Sequence, residues 1–372
     1  MGKNSKDSIK CHKKCYIIIL LPGDIYIRIL VTGGAGFIGS HIAEYYAKKK
    51  EEVLVFDNLS RPRILGKCIG NPLYNWNYLR NNYPNIKLIK GDIRDFNELK
   101  ETGKHVDVII HTAAQVAVST SLKDPRTDFE INALGTFNVL EVARLNDSTV
   151  ILCSTNKVYG ENVNKIPVIE KETRYEYADP RYKNGIPEDF PIDLTAHSPY
   201  GCSKLTADIY AQDYAHTYGL KTAVFRMSCI YGERQFGVED QGWVAWFVIA
   251  TLTDRPIIIY GNGKQVRDVL YITDLVKAFD AFINSKLKHE VFNIGGGPEN
   301  TLSLLELLIL LRKLTKRKPN VRFSDWRPAD QKVYISNNKK AIRLLRWKPQ
   351  ISPEKGVKKL VKWVSENIAL FK

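Results

Sequence analysis

Tyr200 and Lys204, in His197-Ser-Pro-Tyr-Gly-Cys-Ser-Lys204, stand four positions apart, the spacing that puts a phenol and an ammonium on one face of a helix. A lysine charge close to a phenol favours the phenolate and lowers a pKa of about 10, which makes such a tyrosine usable as a base near neutrality. Ser198 is a good N-cap, Pro199 suits the first helical position and Gly219 a C-cap, so a helix is predicted over 198–219 with Tyr200 in its first turn. The spacing alone is weak evidence. It recurs at Tyr45/Lys49, Tyr46/Lys50, Tyr83/Lys87 and Tyr260/Lys264, where solvated surface pairs are the ordinary reading. Chain order singles out Tyr200: a glycine loop far upstream, a strand ending in Ser154 and Thr155, then this capped helix.

The elements that must position these groups read as a parallel α/β fold. The run 25–31 is a β-branched strand that feeds into Thr32-Gly-Gly-Ala-Gly-Phe-Ile-Gly39 and a helix to about Lys48. Gly33, Gly36 and Gly39 allow a sharp turn, close approach of a pyrophosphate to amides at the helix start near Phe37 and Ile38, and packing of helix on strand. The loop alone also suits a flavin or a plain structural turn. Val53-Leu-Val-Phe-Asp57 ends in an acid where a carboxylate would accept the adenosine ribose hydroxyls, with Asn58 beside it. Asp57 would repel a 2′-phosphate and so favours NAD, although Arg61 and Arg63 could neutralise that repulsion. Strands at 86–90, 106–111 and 149–154 follow. Their carboxyl ends would bring Asp92 and Ile93 to the adenine and Ala113, Ala114 and Gln115 to the pyrophosphate and ribose. Asn132, on a helix expected over 128–144, borders the same cofactor set and suits a structural polar contact better than a catalytic role. The stretch 161–197, with four prolines, is long for a plain connection and reads as a cover on a site. Further strands are expected at 222–230, 256–260 and 291–294, and helices at 303–315 and 353–369.

The fold class expected is α/β, a doubly wound Rossmann sheet with a smaller, basic α/β C-terminal domain that binds substrate. Residues 1–24 read as an extension, 25–232 with 266–294 as the NAD-binding domain, and 233–265 with 295–372 as the substrate domain. The 372 residues are 44% hydrophobic, an ordinary globular composition. The net charge of +15 is uneven: residues 311–372 hold eighteen Lys/Arg against four Asp/Glu. A solvated lysine-rich surface with a phosphate site embedded in it accounts for this better than nucleic-acid binding. The six scattered cysteines read as reduced thiols of a cytoplasmic protein, and Cys11-His-Lys-Lys-Cys15 lacks the second cluster a metal site needs. The apolar run 16–21 is too short for a signal peptide or a membrane span.

Together, Gly33-x-x-Gly-x-x-Gly39, the Thr155/Tyr200/Lys204 trio and Arg267-Asp268 resemble the extended short-chain dehydrogenase/reductases of the nucleotide-sugar epimerase and dehydratase group, from about residue 25 to the end. Ser154-Thr-Asn-Lys-Val-Tyr-Gly160, Arg234-Gln-Phe, Asp240-Gln-Gly-Trp243 and Gly261-Asn-Gly-Lys-Gln-Val-Arg267 look most like its branch acting at C2 of CDP-paratose and CDP-tyvelose. The resemblance implies bound NAD as cofactor, Tyr200 as base, Thr155 hydrogen-bonding the reacting oxygen, and Lys204 supporting Tyr200 and the nicotinamide ribose. It implies a CDP-sugar substrate held by Asn156, Gln235, Gln241, Arg267 and Arg327, and a homo-oligomer, dimer or tetramer; a UDP-sugar 4-epimerase is the alternative. The group's 4,6-dehydratases carry Asp and Glu after the catalytic Thr. Here Asn156 and Lys157 stand in those places and cannot do carboxylate work at neutral pH, so dehydration is expected to be absent. The sugar-acid decarboxylases also carry a Glu in this region, which Lys157 again fails to match.

Overall fold

A computed structural model describes residues 26–66, 70–327 and 330–371. The extension 1–24, with Cys11 and Cys15, and also Cys68, lies outside the described residues. Five strands of the first half, β1 (Arg28–Thr32), β2 (Glu52–Asp57), β3 (Ile86–Lys90), β4 (Val108–His111) and β5 (Thr149–Thr155), join Thr222–Met227 and His289–Ile294 in one sheet. Its order is His289–Ile294, Thr222–Met227, β5, β4, β1, β2, β3, and every pair is parallel. The strands are near-continuous apolar runs because both faces are covered; Ile29, Leu30, Val31, Ile109 and Ile110 are all fully buried. Helix α1 (Phe37–Lys48) packs one face through Ile42, Ala43 and Tyr46, while Val139 and Leu140 of Gly135–Asn146 and Ala207 and Ala211 of Ser198–Tyr218 belong to the core on the other. The order reverses between β1 and β4, which opens the crevice at the carboxyl ends of the strands. The doubly wound Rossmann expectation holds.

Outside this sheet the chain forms smaller ones. Val266–Tyr271 pairs antiparallel with Thr301–Ser303 and parallel with Val333–Tyr334 and Cys229–Tyr231, and Ile257–Tyr260 pairs with Val321–Ser324. Among the described residues no helix is long and apolar enough to cross a membrane.

Three elements differ from the sequence reading. The helix expected over 128–144 is interrupted by a π turn, Glu130–Leu134, which turns Asn132 into the interior. The strand expected over 222–230 breaks at Ser228, so Cys229–Tyr231 leaves the large sheet for the strand carrying Arg267. Trp243–Leu252 is a helix with no polar face, buried from Val244 to Thr251, and therefore lacks the amphipathic period by which helices are read. The long stretch 161–197 contains a hairpin, Val168–Glu170 with Tyr175–Tyr177, and is tied down by a cluster of Val158, Tyr159, Val163, Ile186, Phe190 and Tyr334.

Candidate active site

β1 ends at Thr32, and Gly33 turns the chain with φ +69°. Its N–H donates to the Phe56 carbonyl at 2.8 Å and its carbonyl accepts from Gly36 N–H at 2.9 Å. A Cβ on Gly33 would lie 2.5 Å from the Ala113 nitrogen, and one on Gly39 2.6 Å from Gly34 Cα, so backbone itself closes on both positions. The free amides at the start of α1 face the cleft. Asp57 Oδ2 accepts from Ala35 N–H at 3.0 Å and Oδ1 from Leu59 N–H at 2.7 Å. Burial raises its pKa while these two amides pull it back, and acceptor capacity is left for ribose hydroxyls. Asn58 donates to Asp92 Oδ2 at 2.9 Å; Arg94, bonded to the same carboxylate, holds Asp92 at about 2. Twelve of the cofactor residues expected from sequence, from Gly33 to Gln115, line this one cleft. The glycine cradle and the ribose-side carboxylate fit NAD. Arg61, considered a counter-charge for a 2′-phosphate, is instead turned to the Phe236 carbonyl (2.9 Å) and Gln241 Oε1 (3.0 Å).

Asn132 faces the interior, and Gln235 and Gln241 face the dinucleotide cleft. Asn132, assigned to the cofactor set, is fully buried. Its Oδ1 accepts from Gln115 N–H at 2.9 Å, and its Nδ2 donates to Gln115 O, Asp128 Oδ1 and Ser203 Oγ at 3.1–3.2 Å. It therefore joins the Gln115 loop to the helix of Tyr200. Gln235 and Gln241, assigned to the substrate, line the dinucleotide cleft, because the loop that carries them is drawn over by Arg61.

Thr155 ends β5, and Tyr200 and Lys204 follow in the first two turns of Ser198–Tyr218; all three are buried, at 9%, 9% and 3% exposure. Pro199 sits in the first turn, Ser198 Oγ accepts from Gly201 N–H at 3.4 Å, and Gly219 closes the helix in the left-handed conformation. Ser121 Oγ accepts from Tyr200 N–H at 3.1 Å, fixing the turn against its neighbour. The electrostatics correct the expectation for Tyr200. Burial pushes the phenol up to about 12, against a hydrogen bond from Thr155 that lowers it, and Lys204 is not among the charges acting on it. The Lys204 ammonium instead donates to the Cys153 carbonyl at 2.7 Å, and burial lowers its own pKa. Behind them, Asp208 on the same helix pairs with Arg226 at 3.0 Å and accepts from Ser154 Oγ at 2.6 Å, a buried brace between helix and sheet. The other Tyr-x-x-x-Lys pairs are ordinary: Tyr45 and Lys49, for example, both bond Asp280.

Beyond β5, Asn156 Oδ1 accepts from Thr155 Oγ1 at 3.3 Å and its amide donates to Gln331 Oε1 at 3.4 Å. Arg267 donates to Asp330 Oδ1 at 2.7 Å and to the Gln331 carbonyl at 2.6 Å. The next residue, Asp268, is fully buried and accepts from Gly297 and Ser336 N–H, tying the small sheet to the loop after the last large-sheet strand. Arg327 lies over the Tyr260 ring at 3.8 Å and pairs with Asp240 at 3.1 Å, not with the sequence neighbours Asp325 or Asp330. The sequence reading passed over Gln331 and Asp330 as site residues, although both follow Arg327 closely; it met Lys157 only as a missing carboxylate.

A family model described as the NAD dependent epimerase/dehydratase family matches residues 29–295. The chain is 42% identical over 352 residues to CDP-paratose 2-epimerase of Salmonella typhi, covering 91% of this chain and 99% of that protein. It is 32% identical to UDP-glucuronate 4-epimerase of Thermodesulfobacterium geofontis, over 92% of this chain and 98% of that one. Among solved structures, UDP-glucose 4-epimerase of Thermus thermophilus in complex with NAD superposes with a TM-score of 0.73 at 29% identity, covering 91% of this chain and 99% of that one. With the glycine cradle, the ribose carboxylate and these full-length likenesses in agreement, the chain belongs to the NAD-dependent epimerase/dehydratase family.

Proposed function

We propose that this protein is a nucleotide-sugar epimerase acting at C2 of a CDP-dideoxyhexose, interconverting CDP-paratose and CDP-tyvelose. The observation that carries the reading is the pair after Thr155: an amide, Asn156, and a cation, Lys157, where water-eliminating relatives need two carboxylates. The 42% identity to a 2-epimerase along nearly the whole chain supports C2 over C4. Gly33, Gly36, Gly39 and Asp57 would hold NAD, which when bound supplies the acceptor and then the donor of the sugar's hydride. Tyr200 takes the proton of the C2 hydroxyl and returns it once the opposite face of the oxidised sugar is presented. Thr155 hydrogen-bonds the reacting oxygen of the sugar. At about 12 the Tyr200 phenol is a weak donor of its own proton, so its service as a base depends on positive charge brought to it on assembly of the site. Arg267 and Arg327 serve the diphosphate, whose oxygens suit guanidinium forks.

The functional unit in this reading is a homo-oligomer in a reducing, cytoplasmic setting, with Cys153, Cys202 and Cys229 as free thiols. Phe129, Leu134, Phe137, Ile209 and Tyr210 expose large apolar surface on the neighbouring helices around Gly135–Asn146 and Ser198–Tyr218, as a contact between copies would require. Light scattering on the purified chain would give a multiple of 42.4 kDa; a monomer at micromolar concentration would reject this.

The test of function is to incubate the purified protein with CDP-tyvelose and with CDP-paratose in heavy water and to follow H2 by proton NMR. Interconversion with H2 retained is expected. No change at C2 even with added NAD would turn the assignment to UDP-hexoses and C4, and deuterium at C2 would replace hydride transfer by proton exchange.

A further inference from the structure

The turn that follows β2 is fixed at its root and reaches far at its tip. Asp57 and Asn58 side chains accept from the N–H groups of Leu59 (2.7 Å) and Ser60 (3.0 Å), and Leu59 is held at φ +57°. The chain then enters a short helix, Arg61–Leu65, whose first side chain leaves the turn altogether. Arg61 Nη2 donates to the Phe236 carbonyl at 2.9 Å and to Gln241 Oε1 at 3.0 Å, partners 175 and 180 positions away in sequence. Leu59, Ser60 and Arg61 line one side of the dinucleotide cleft, and Gln235, Phe236 and Gln241 line it from the loop 234–241. Arg61 therefore ties two walls of one cleft together.

The receiving wall is firmly anchored. The buried Phe236 ring packs against Tyr74, Trp363 and Phe371, with centroids 5.4–5.9 Å apart. Val238 and Gln241 exchange both backbone hydrogen bonds, at 2.9 and 3.0 Å, which closes a tight turn. Arg234 pairs with Glu44 of α1 at 2.7 Å, and a Cβ on Gly237 would lie 2.6 Å from the Trp246 nitrogen, so the loop sits directly on the helix Trp243–Leu252. The Arg61 wall is lighter: one turn and a five-residue helix, packed on the core through Ile64. A helix of that length has little stability of its own, so this is the wall that can swing.

We propose that Arg61 is a cofactor-retaining residue: its bridge to Phe236 and Gln241 is a clasp across the dinucleotide cleft, and NAD is exchanged only when the clasp opens. The contact is made between protein groups, so it holds the oxidised and the reduced cofactor alike. Its purpose rests on the epimerase reading above, in which the hydride taken from the sugar must be returned by the same cofactor. Release of the reduced cofactor between the two transfers would strand an oxidised sugar. The evidence for the clasp itself lies in the cleft and does not depend on which sugar is bound.

The experiment is to load the purified protein with NADH, chase it with excess NAD and follow the loss of bound-NADH fluorescence, then to measure NADH association by stopped flow. Wild type, Arg61→Met and Gln241→Leu are compared, with far-UV circular dichroism as the check on folding. Expected is dissociation faster by about tenfold or more in Arg61→Met, the scale of a charge-assisted hydrogen bond. A smaller acceleration is expected in Gln241→Leu, which removes one of the two bonds from a partly exposed position and keeps the test decisive if Arg61→Met does not fold. Association should not slow in either variant, because a clasp obstructs entry and exit alike. Unchanged dissociation in both variants overturns the clasp and leaves the epimerase reading intact. Faster dissociation with slower association, confined to Arg61→Met, would show a guanidinium that attracts the cofactor phosphates by charge, and also overturns the clasp. No sugar is present, so a failure of the C2 assignment in the NMR test would leave these rates as they are.

Discussion

The dinucleotide cleft and the group of polar side chains beyond β5 are built by opposite means. The first is built from backbone. Gly33, Gly36 and Gly39 remove side chains so that main-chain amides meet a pyrophosphate, and the one carboxylate, Asp57, is itself braced by the amides of Ala35 and Leu59. The second is built from polar and charged side chains contributed by distant segments: Asn156 after β5, Arg267 from the small sheet, and Arg327, Asp330 and Gln331 beyond it. A backbone site is tolerant of neighbouring sequence but not of a single Cβ. A side-chain site is graded, and each arginine or lysine can be removed at the cost of its own contact. The loop 234–241 touches both: Gln241 and the Phe236 carbonyl receive Arg61 of the cleft, while Asp240 pairs with Arg327 of the second group.

The contrast can be broken at its centre first. Tyr200→Phe keeps the packing of the helix and removes only the oxygen that moves the proton, so NAD binding should persist while turnover falls by about a hundredfold to ten-thousandfold; near-normal turnover would remove Tyr200 from its role as base. Gly33→Ala tests the backbone half. The added methyl meets the Ala113 main chain at 2.5 Å and sits on a residue with φ +69°, where neither partner can yield cheaply. NAD titration followed by tryptophan fluorescence should show affinity reduced by about a hundredfold or more, with far-UV circular dichroism unchanged; undiminished affinity would mean the cradle is not where the pyrophosphate lies. Arg327→Ala tests the side-chain half and should act least. The guanidinium is about a third exposed and already shared with Asp240 and the Tyr260 ring. A KM raised by about tenfold with kcat nearly unchanged is expected, and the reverse pattern would sink its place on the diphosphate.

Local signals explain why so much of the first half was legible. The glycine spacing, the acid closing β2, strands that are apolar on both faces and the Pro199/Gly219 boundaries of the Tyr200 helix each state their structure within a few residues. The π turn at Asn132 was not legible, since an extra residue in a helical turn leaves no mark on composition; nor was Trp243–Leu252, whose apolar sides are alike. The effect of Lys204 on Tyr200 was misjudged for a related reason. A spacing of four tells which face two side chains share, but the ammonium found a carbonyl at Cys153 on a strand that the spacing does not include.

The sequence by itself determined the family, the layered α/β order and the identity of the trio, because these depend on contacts between residues near in the chain or on periodicities along it. Only the tertiary structure decided that Gln235 and Gln241 line the dinucleotide cleft, that Asn132 joins the Gln115 loop to the Tyr200 helix, that burial raises the pKa of Tyr200, and that Arg267 bonds the Gln331 carbonyl. Those outcomes turn on desolvation and on hydrogen bonds between segments up to 180 residues apart, and both are set by how the sheets and helices pack.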